Sequence, residues 1–274
     1  MTSPLSLRDR NVLVTGASSG LGLEMARQLA RDHGAHPILV ARRREKLESL
    51  AKELAAHGVR PRVIAADMTV AADVARTFEE ATKEPLHAAI LNAGVTFFGH
   101  TLEHATADIE SLIATNVTSV VTLTQRLVPY LLERASSTGE AGAVMLVSSM
   151  ASLQPMPFQA VYGASKAFVT SYAIALAEEL RDQPVSLTAF LPGGIATEMM
   201  DNAGLSNKYG KDHPMVMSVN ECADLALRAF IARETTSVPG TLNKLAAFGA
   251  AVAPRKLVAH LVANDYRGAL PKRS

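Results

Sequence analysis

The sequence contains no tryptophan, and aromatic residues make up only 5% of its 274 positions. Stacking platforms for bases or sugar rings are therefore poorly supplied. There is a single cysteine, Cys222, so no internal disulfide framework can form, which fits a reducing compartment. Neither sign of charge dominates: 27 Lys and Arg against 26 Asp and Glu give a formal charge of +1. With a pI of about 7.9, the chain falls below the basic range of nucleic-acid binders. Long hydrophobic runs are missing too. Residues 1–11 hold no apolar segment of the kind a secretory leader requires, and the weakly polar stretch 245–254 is too short to cross a bilayer. A cytoplasmic protein with no membrane span and no nucleic-acid partner is the expectation. His100 and His104 stand four apart without an evident third ligand, so no metal site is expected. Cys222 has no visible base partner and reads as a small packed thiol. What the chain does have is 48% hydrophobic residues, enough at this length to bury a core without staples.

Those residues fall into a rhythm. Short aliphatic runs at 11–15, 37–41, 62–66, 87–91, 142–147 and 185–191 read as buried strands. Between them, helical spacing covers 20–33, 45–57, 71–82, 106–114, 117–133 and 160–181, and Gly58 reads as a C-terminal cap. A helix at 220–233, a short last strand at 236–240 and two short helices over 242–262, broken at Pro254, follow. Fully apolar strands alternating with helices predict an α/β fold, a doubly wound parallel sheet flanked by helices on both faces. One domain spanning 1–274 is expected, with 198–217 as an excursion beside the sheet and 241–274 as a C-terminal helical extension. Leu257, Val258, Leu261 and Val262 form a short apolar stripe that favours packing on the domain or a partner subunit over lying on a membrane.

The first strand runs into Thr15-Gly16-Ala17-Ser18-Ser19-Gly20-Leu21-Gly22 and then directly into a helix. Glycines permit a tight turn and close backbone approach, and the helix start offers unpaired N–H groups to an anion. A strand, a Gly turn and a helix in that order point to a dinucleotide pyrophosphate, as in a Rossmann fold. An acid about 20 residues past such a turn would bind a ribose 2′-hydroxyl. None stands there; Arg42, Arg43 and Arg44 follow the second strand instead. A guanidinium fork suits a 2′-phosphate, so the phosphorylated cofactor NADP(H) is expected, with Arg42 as the first candidate.

Tyr162-Gly163-Ala164-Ser165-Lys166 places a phenol and an ammonium on one helix face. A close cation would lower the phenol's pKa from its ordinary value near 10. Ser149 lies 13 residues earlier, at the end of the fifth strand, where ligands bind in parallel sheets. The spacing of the Gly turn, together with Asp67, Asn92-Ala93-Gly94, Asn116, Ser149, YxxxK and Pro192-Gly193-Gly194-Ile195-Ala196-Thr197, all in order, resembles the short-chain dehydrogenase/reductase family over about residues 11–200. The chain departs from the family pattern at Ser19, where NADP-preferring members often carry a basic residue, and at Ser152, usually glycine.

The resemblance implies that Gly16, Ser18, Ser19, Gly20, Leu21, Gly22 and Arg42 bind the adenosine half of NADP(H). Asp67 and the Met68 amide would meet the adenine, and Asn92, Ala93 and Gly94 would lie along the ribose. Pro192, Gly193, Ile195 and Thr197 would approach the nicotinamide. Tyr162 would be the acid or base, Lys166 would tune it and bind ribose hydroxyls, Ser149 would orient the substrate oxygen, and Asn116 would bend its helix and sustain a proton relay. A small-molecule carbonyl or secondary alcohol is the implied substrate, and a homodimer or homotetramer the implied assembly. Phe97, Phe98, Met150, Met156, Phe158, Met199, Met200, Met215 and Met217 suggest an apolar mouth suited to a lipophilic ketone, ketoacyl- or steroid-like. The rival reading is a non-catalytic NADP(H)-binding sensor or scaffold.

Overall fold

The computed structural model describes residues 3–198, 200, 213 and 216–270. Its elements run β1 (Asn11–Thr15), α1 (Gly20–Arg31), β2 (His36–Ala41), α2 (Arg44–Ala55), β3 (Arg62–Ala65), α3 (Ala71–Ala81), β4 (Leu86–Leu91), α4 (Thr106–Ile113), α5 (Ser119–Thr138), β5 (Gly142–Val147), α6 (Ala160–Glu179) and β6 (Val185–Phe190). There follow β7 (Gly194–Ile195), β8 (Val216–Met217), α7 (Val219–Ile231), β9 (Thr236–Ser237), α8 (Thr241–Val252) and α9 (Arg255–Arg267). Seven strands form one sheet in the order β3-β2-β1-β4-β5-β6-β9, every pair parallel.

Why both faces are covered is visible along single strands. Val12 and Val14 of β1 enter one apolar cluster, while Leu13 between them enters the other. On β4, Ala88 and Ile90 face the first cluster and Ala89 and Leu91 the second. Helices α1, α2 and α7 cover one side with Met25, Leu29, Leu47, Leu54, Leu227 and Phe230. Helices α3, α5 and α6 cover the other with Val74, Leu123, Leu127 and Val169. The strand order runs outward in one direction from β1 and in the opposite direction from β4. The crossovers therefore leave a crevice above the C-terminal ends of β1 and β4, where open α/β sheets bind ligands.

The chain departs from the sequence expectation at the β7–β8 pair and, more consequentially, in one helical join. Helices expected at 106–114 and 117–133 are continuous: α4 passes into α5 through a π-helical turn, Ala114–Thr118, in which the Ser119 N–H donates to the Ala114 carbonyl. Helix α5 then runs through Pro129 to Thr138, where Gly139 adopts φ +72 and its N–H donates to Ala135 O. Most of the 198–217 excursion, with Met199 and Met215, lies outside the described residues. Its last strand, β8, pairs with β7. The C-terminal extension is docked by Asn243 of α8, which is buried beside Gly193 and donates to Pro239 O at 2.9 Å.

At the opposite, N-terminal edge of the sheet, His87 of β4 sits between two arginines. Its Nε2 accepts from Arg10 Nη1 at 3.2 Å and from Arg134 Nη2 at 2.6 Å. Glu140 closes the group, pairing with Arg10 and with Arg134 at 2.8 Å. Burial and the two guanidinium charges press the imidazole pKa down to about 4.

Candidate active site

Thr15 ends β1, and its Oγ1 accepts from the N–H groups of Asn92 and Ala93, each at 3.0 Å. The Asn92 amide returns a bond to Thr15 O at 3.0 Å. The Asn92-Ala93-Gly94 segment after β4 is thereby stitched to the glycine turn after β1. Gly16 sits within the stitch at φ +70, where a Cβ would come within 2.8 Å of Asn92 Nδ2. Gly22 is also obligatory, for a different reason from the one expected. A Cβ on it would meet the Gly16 carbonyl at 2.5 Å, yet Gly22 is not part of the cavity wall. It lets α1 close on the turn.

Above these strand ends lies a cavity of about 560 Å³. Gly16, Ser18, Ser19, Gly20 and Leu21 line it at the α1 N-terminus, whose first turn carries no acidic side chain. Arg42 and Arg43 line it beside them. Arg43 reaches the turn itself, donating from Nη2 to Ser18 Oγ at 3.1 Å, and its Nη1 lies 3.6 Å from Glu198. Arg44 turns away to Glu48 at 3.6 Å. Asp67 and Met68 line the same end. Asp67 Oδ1 accepts from the Thr69 N–H and hydroxyl, both at 2.9 Å, whereas α3 takes its N-cap at Val70. Asp67 is thus not the cap of α3. Thr197 Cγ2 lies 3.3 Å from where a Cβ on Gly20 would stand, so the segment after β6 closes over the turn.

At the other end, Tyr162 and Lys166 of α6 meet the C-terminal end of β5. Lys166 Nζ donates to Val147 O at 3.0 Å and lies 5.9 Å from the Tyr162 ring centroid. Ser148 Oγ donates to the Lys166 carbonyl at 2.9 Å and shares a 2.7 Å bond with Thr170 Oγ1, so Ser148 pins α6 to the strand. Ser149 faces the cavity and is hydrogen-bonded to the Tyr162 phenol. Its Oγ also accepts from Ala151 N at 3.1 Å and approaches Pro192 O at 3.4 Å.

The electrostatics differ from the expectation of a phenol made acidic by its lysine. Burial raises the Tyr162 pKa, and the opposing influence is the Ser149 hydrogen bond. The ammonium is itself disfavoured by burial, which brings Lys166 down to about 8. Desolvation acts on both groups at once and outweighs their attraction at this separation.

Asn116 lies in the π-helical turn and is fully buried. Its Oδ1 accepts from Val95 N and its Nδ2 donates to Val95 O, both at 2.9 Å, with a third bond to Ser165 Oγ at 3.1 Å. The side chain thus fixes the strand-like segment after Gly94 and does not line the cavity. A Cβ on Gly94 would lie 3.3 Å from Lys166 Nζ and 3.4 Å from Asn116 Oδ1, so glycine there admits the lysine.

Ala93, Pro192, Gly193 and Ile195 line the cavity as expected. Of the residues read as an apolar mouth, Met150, Met156 and Met200 line it as well, but Phe97, Phe98, Phe158 and Met217 do not. Phe97 packs on His104 at 5.8 Å and Phe158 on His100 at 5.2 Å between ring centroids, and Met217 packs on the core. Cys222 is buried, its thiol pushed up to about 12 by desolvation. Sequence reading missed the wall contributed by α9, namely Val262, Asp265 and Tyr266. It held no motif that would have placed them there.

A glycine turn at the switch point of a doubly wound parallel sheet, opposite a helix carrying tyrosine and a buried lysine one turn apart, defines a Rossmann-type dehydrogenase. Residues 10–208 match the short chain dehydrogenase family, and the chain belongs to it. It is 33% identical over 204 residues to 17-beta-hydroxysteroid dehydrogenase type 3 of Mus musculus, a stretch covering 73% of this chain and 64% of that protein. It is 30% identical over 193 residues to ketoacyl reductase HetN of a Nostoc species, covering 70% of this chain and 65% of that protein. The chain therefore spans just under two thirds of the length of these curated relatives. Among solved structures, a short-chain dehydrogenase from Sphingobium yanoikuyae in complex with NADPH aligns with a TM-score of 0.75 at 33% identity, covering 88% of this chain and 93% of that one. Among the described residues, no helix is long and apolar enough to cross a membrane.

Proposed function

We propose that this protein is an NADP(H)-dependent oxidoreductase that interconverts a lipophilic ketone and its secondary alcohol. The observation that carries the reading is one cavity with two chemically distinct ends. Ser149, Tyr162 and Lys166 converge at one end, and Ser18, Arg42 and Arg43 stand at the other. The donor set fits the phosphorylated dinucleotide. The α1 N-terminus and its glycines would take the pyrophosphate. Arg42 and Arg43 would take the 2′-phosphate, Asp67 and Met68 the adenine, and Ile195 and Thr197 the carboxamide end. Bound there, the nicotinamide supplies or accepts the hydride, which is the hard chemical step.

The chain's own residues handle the proton. Ser149 holds the substrate oxygen beside the phenol, and Tyr162 donates a proton to that oxygen in reduction or takes it in oxidation. Lys166 anchors the ribose hydroxyls and sets the field at the phenol. Asn116 positions Gly94 and Val95 beside it. The apolar side of the cavity, with Met150, Met156, Met200 and Val262, supports a lipophilic substrate. So does the similarity to a hydroxysteroid dehydrogenase and a ketoacyl reductase. We also propose a cytoplasmic location, which the lone, buried Cys222 suits. The same reading makes the protein a homo-oligomer paired through α5 and α6, where Phe168 and Ile174 are exposed.

A panel of ketones and alcohols assayed for NADPH consumption or formation, with Tyr162→Phe as control, tests the reading. Turnover abolished by the substitution supports it. Cofactor binding without turnover, with Tyr162→Phe silent, would replace it with a sensor or scaffold.

A further inference from the structure

The last helix, α9, belongs to no motif, yet Val262, Asp265 and Tyr266 on it form part of the cavity wall. Residues 262 and 266 are one turn apart and present one face. On that same face Val258 is buried, so the inner side of α9 is fixed against the body and its outer side carries the exposed Leu257 and Leu261. Tyr266 is the largest side chain on the inner face. Its ring meets Phe98 edge-on, with centroids 5.5 Å apart and planes at 78°. Phe98 in turn meets Phe158 at 6.4 Å, and Phe158 meets His100 at 5.2 Å. The chain therefore builds an aromatic corner from three separate segments: the loop after β4, the loop before α6, and α9. Two features tie the corner to the reacting end. Phe158 lies four residues before Tyr162 and holds a left-handed φ of +66, with its carbonyl accepting from Gly99 N at 2.9 Å. Tyr266 and Tyr162 also line the same cavity.

We propose that Tyr266, backed by Phe98 and flanked by Val262, is the specificity-determining wall of the substrate end, a sieve that sets how large a group a ketone may carry beside its reacting carbon. This rests on the reductase reading above and deepens it. The wall is rigid where it matters, because Tyr266 is held from behind by an aromatic edge. The same cavity is also lined by Met150, Met156 and Met200, thioether side chains that adapt to irregular apolar shapes. Burial pushes the Tyr266 phenol up to about 12, so it stays a neutral hydroxyl through the working pH range. It presents no charge to the substrate. The ligand class that fits is an uncharged ketone or secondary alcohol with a bulky, ring-containing apolar body.

The test uses two opposed substitutions in the full chain, with cyclohexanone as the small ketone and 1-decalone as the bulky one. Tyr266→Ala opens the wall and Val262→Phe closes it. Tyr266→Phe keeps the wall and removes only the hydroxyl. The expected result is that the ratio of kcat/KM for decalone over cyclohexanone rises about tenfold in Tyr266→Ala, falls about tenfold in Val262→Phe and stays near the wild-type value in Tyr266→Phe. NADPH affinity is expected to be unchanged in all three. Circular dichroism checks that each variant folds, and should Tyr266→Ala fail that check the tenfold fall expected in Val262→Phe still decides the test, an unchanged ratio there overturning the sieve. Ketone binding is followed in parallel through the fluorescence of bound NADPH. A ratio that moves in neither variant, or in the same direction in both, overturns the sieve while leaving the reductase reading standing. Ketone affinities that shift as expected in a protein that turns over neither ketone retain the sieve and overturn the reductase.

Discussion

His87 gives the fold a measurable sensitivity to acid. Both arginines direct N–H groups at its Nε2, so the ring must be neutral with its proton on Nδ1. Protonating Nε2 would aim a third N–H at two cations. Its pKa accordingly falls from 6.5 to about 4, desolvation being the largest cause and Arg134 and Arg10 the next. A base whose folded pKa is depressed binds its proton more readily when unfolded. Its contribution to stability is therefore complete above pH 6.5 and is lost as the pH falls toward 4. At roughly 1.4 kcal/mol per tenfold change in proton affinity, the full displacement corresponds to about 3 kcal/mol. Glu140 opposes it and is 35% exposed, so solvent screening reduces the figure to roughly 1–2 kcal/mol. Urea unfolding of the wild type and of His87→Gln at pH 7.5 and pH 4.8 measures it, because glutamine keeps an acceptor for the arginines and does not titrate. The wild type is expected to lose about 1 kcal/mol more than the variant between the two pH values, at unchanged m. Parallel losses would refute the reasoning, since the carboxylates common to both proteins would then explain all of the acid sensitivity.

Three other outcomes are expected. Replacing Arg42 or Arg43 with alanine removes charge-assisted hydrogen bonds of roughly 1.5–3 kcal/mol. Each should raise KM for NADPH by on the order of tenfold with little change for NADH, as initial-rate comparison of the two cofactors will show. Gly16→Ala forces a left-handed alanine onto the Asn92 amide. A stability loss of about 1–2 kcal/mol or more is expected by thermal melting, together with weakened NADPH binding. Because burial holds Lys166 near 8, kcat/KM for carbonyl reduction should decline as the pH rises through about 8 and the ammonium is lost, an inflection read directly from the pH–rate profile.

The sheet was legible because its longer strands are dominated by apolar residues, and runs such as NVLVT and GAVMLV leave little choice but burial on both faces. The placement of candidate site residues was legible where a motif is local, as with Tyr162 and Lys166 on α6. What escaped was whatever depends on contacts distant in sequence. The join of α4 to α5 is set by Asn116 bonding to Val95, 21 residues away, and no helical periodicity reports that. Gly22 was placed on the ligand because the motif groups it with Gly16, but only packing decides which glycine faces inward. The depressed phenol pKa expected from YxxxK ignored desolvation, which composition does not reveal. Phe97, Phe98 and Phe158 were read as lining because they are apolar and nearby in sequence, yet their rings are taken up by His104, Tyr266 and His100.

The double attachment of Lys166 to the end of β5 and the residue after it, through its ammonium to Val147 and through its carbonyl to Ser148, has an evolutionary corollary. On the proposed reading, the groups that would handle the proton are bolted to the sheet, whereas the wall that would face the substrate hangs on α9, a helix with few contacts to the sheet. Descendants of this chain could exchange one customer for another by editing the tail alone, without retuning the reactive groups.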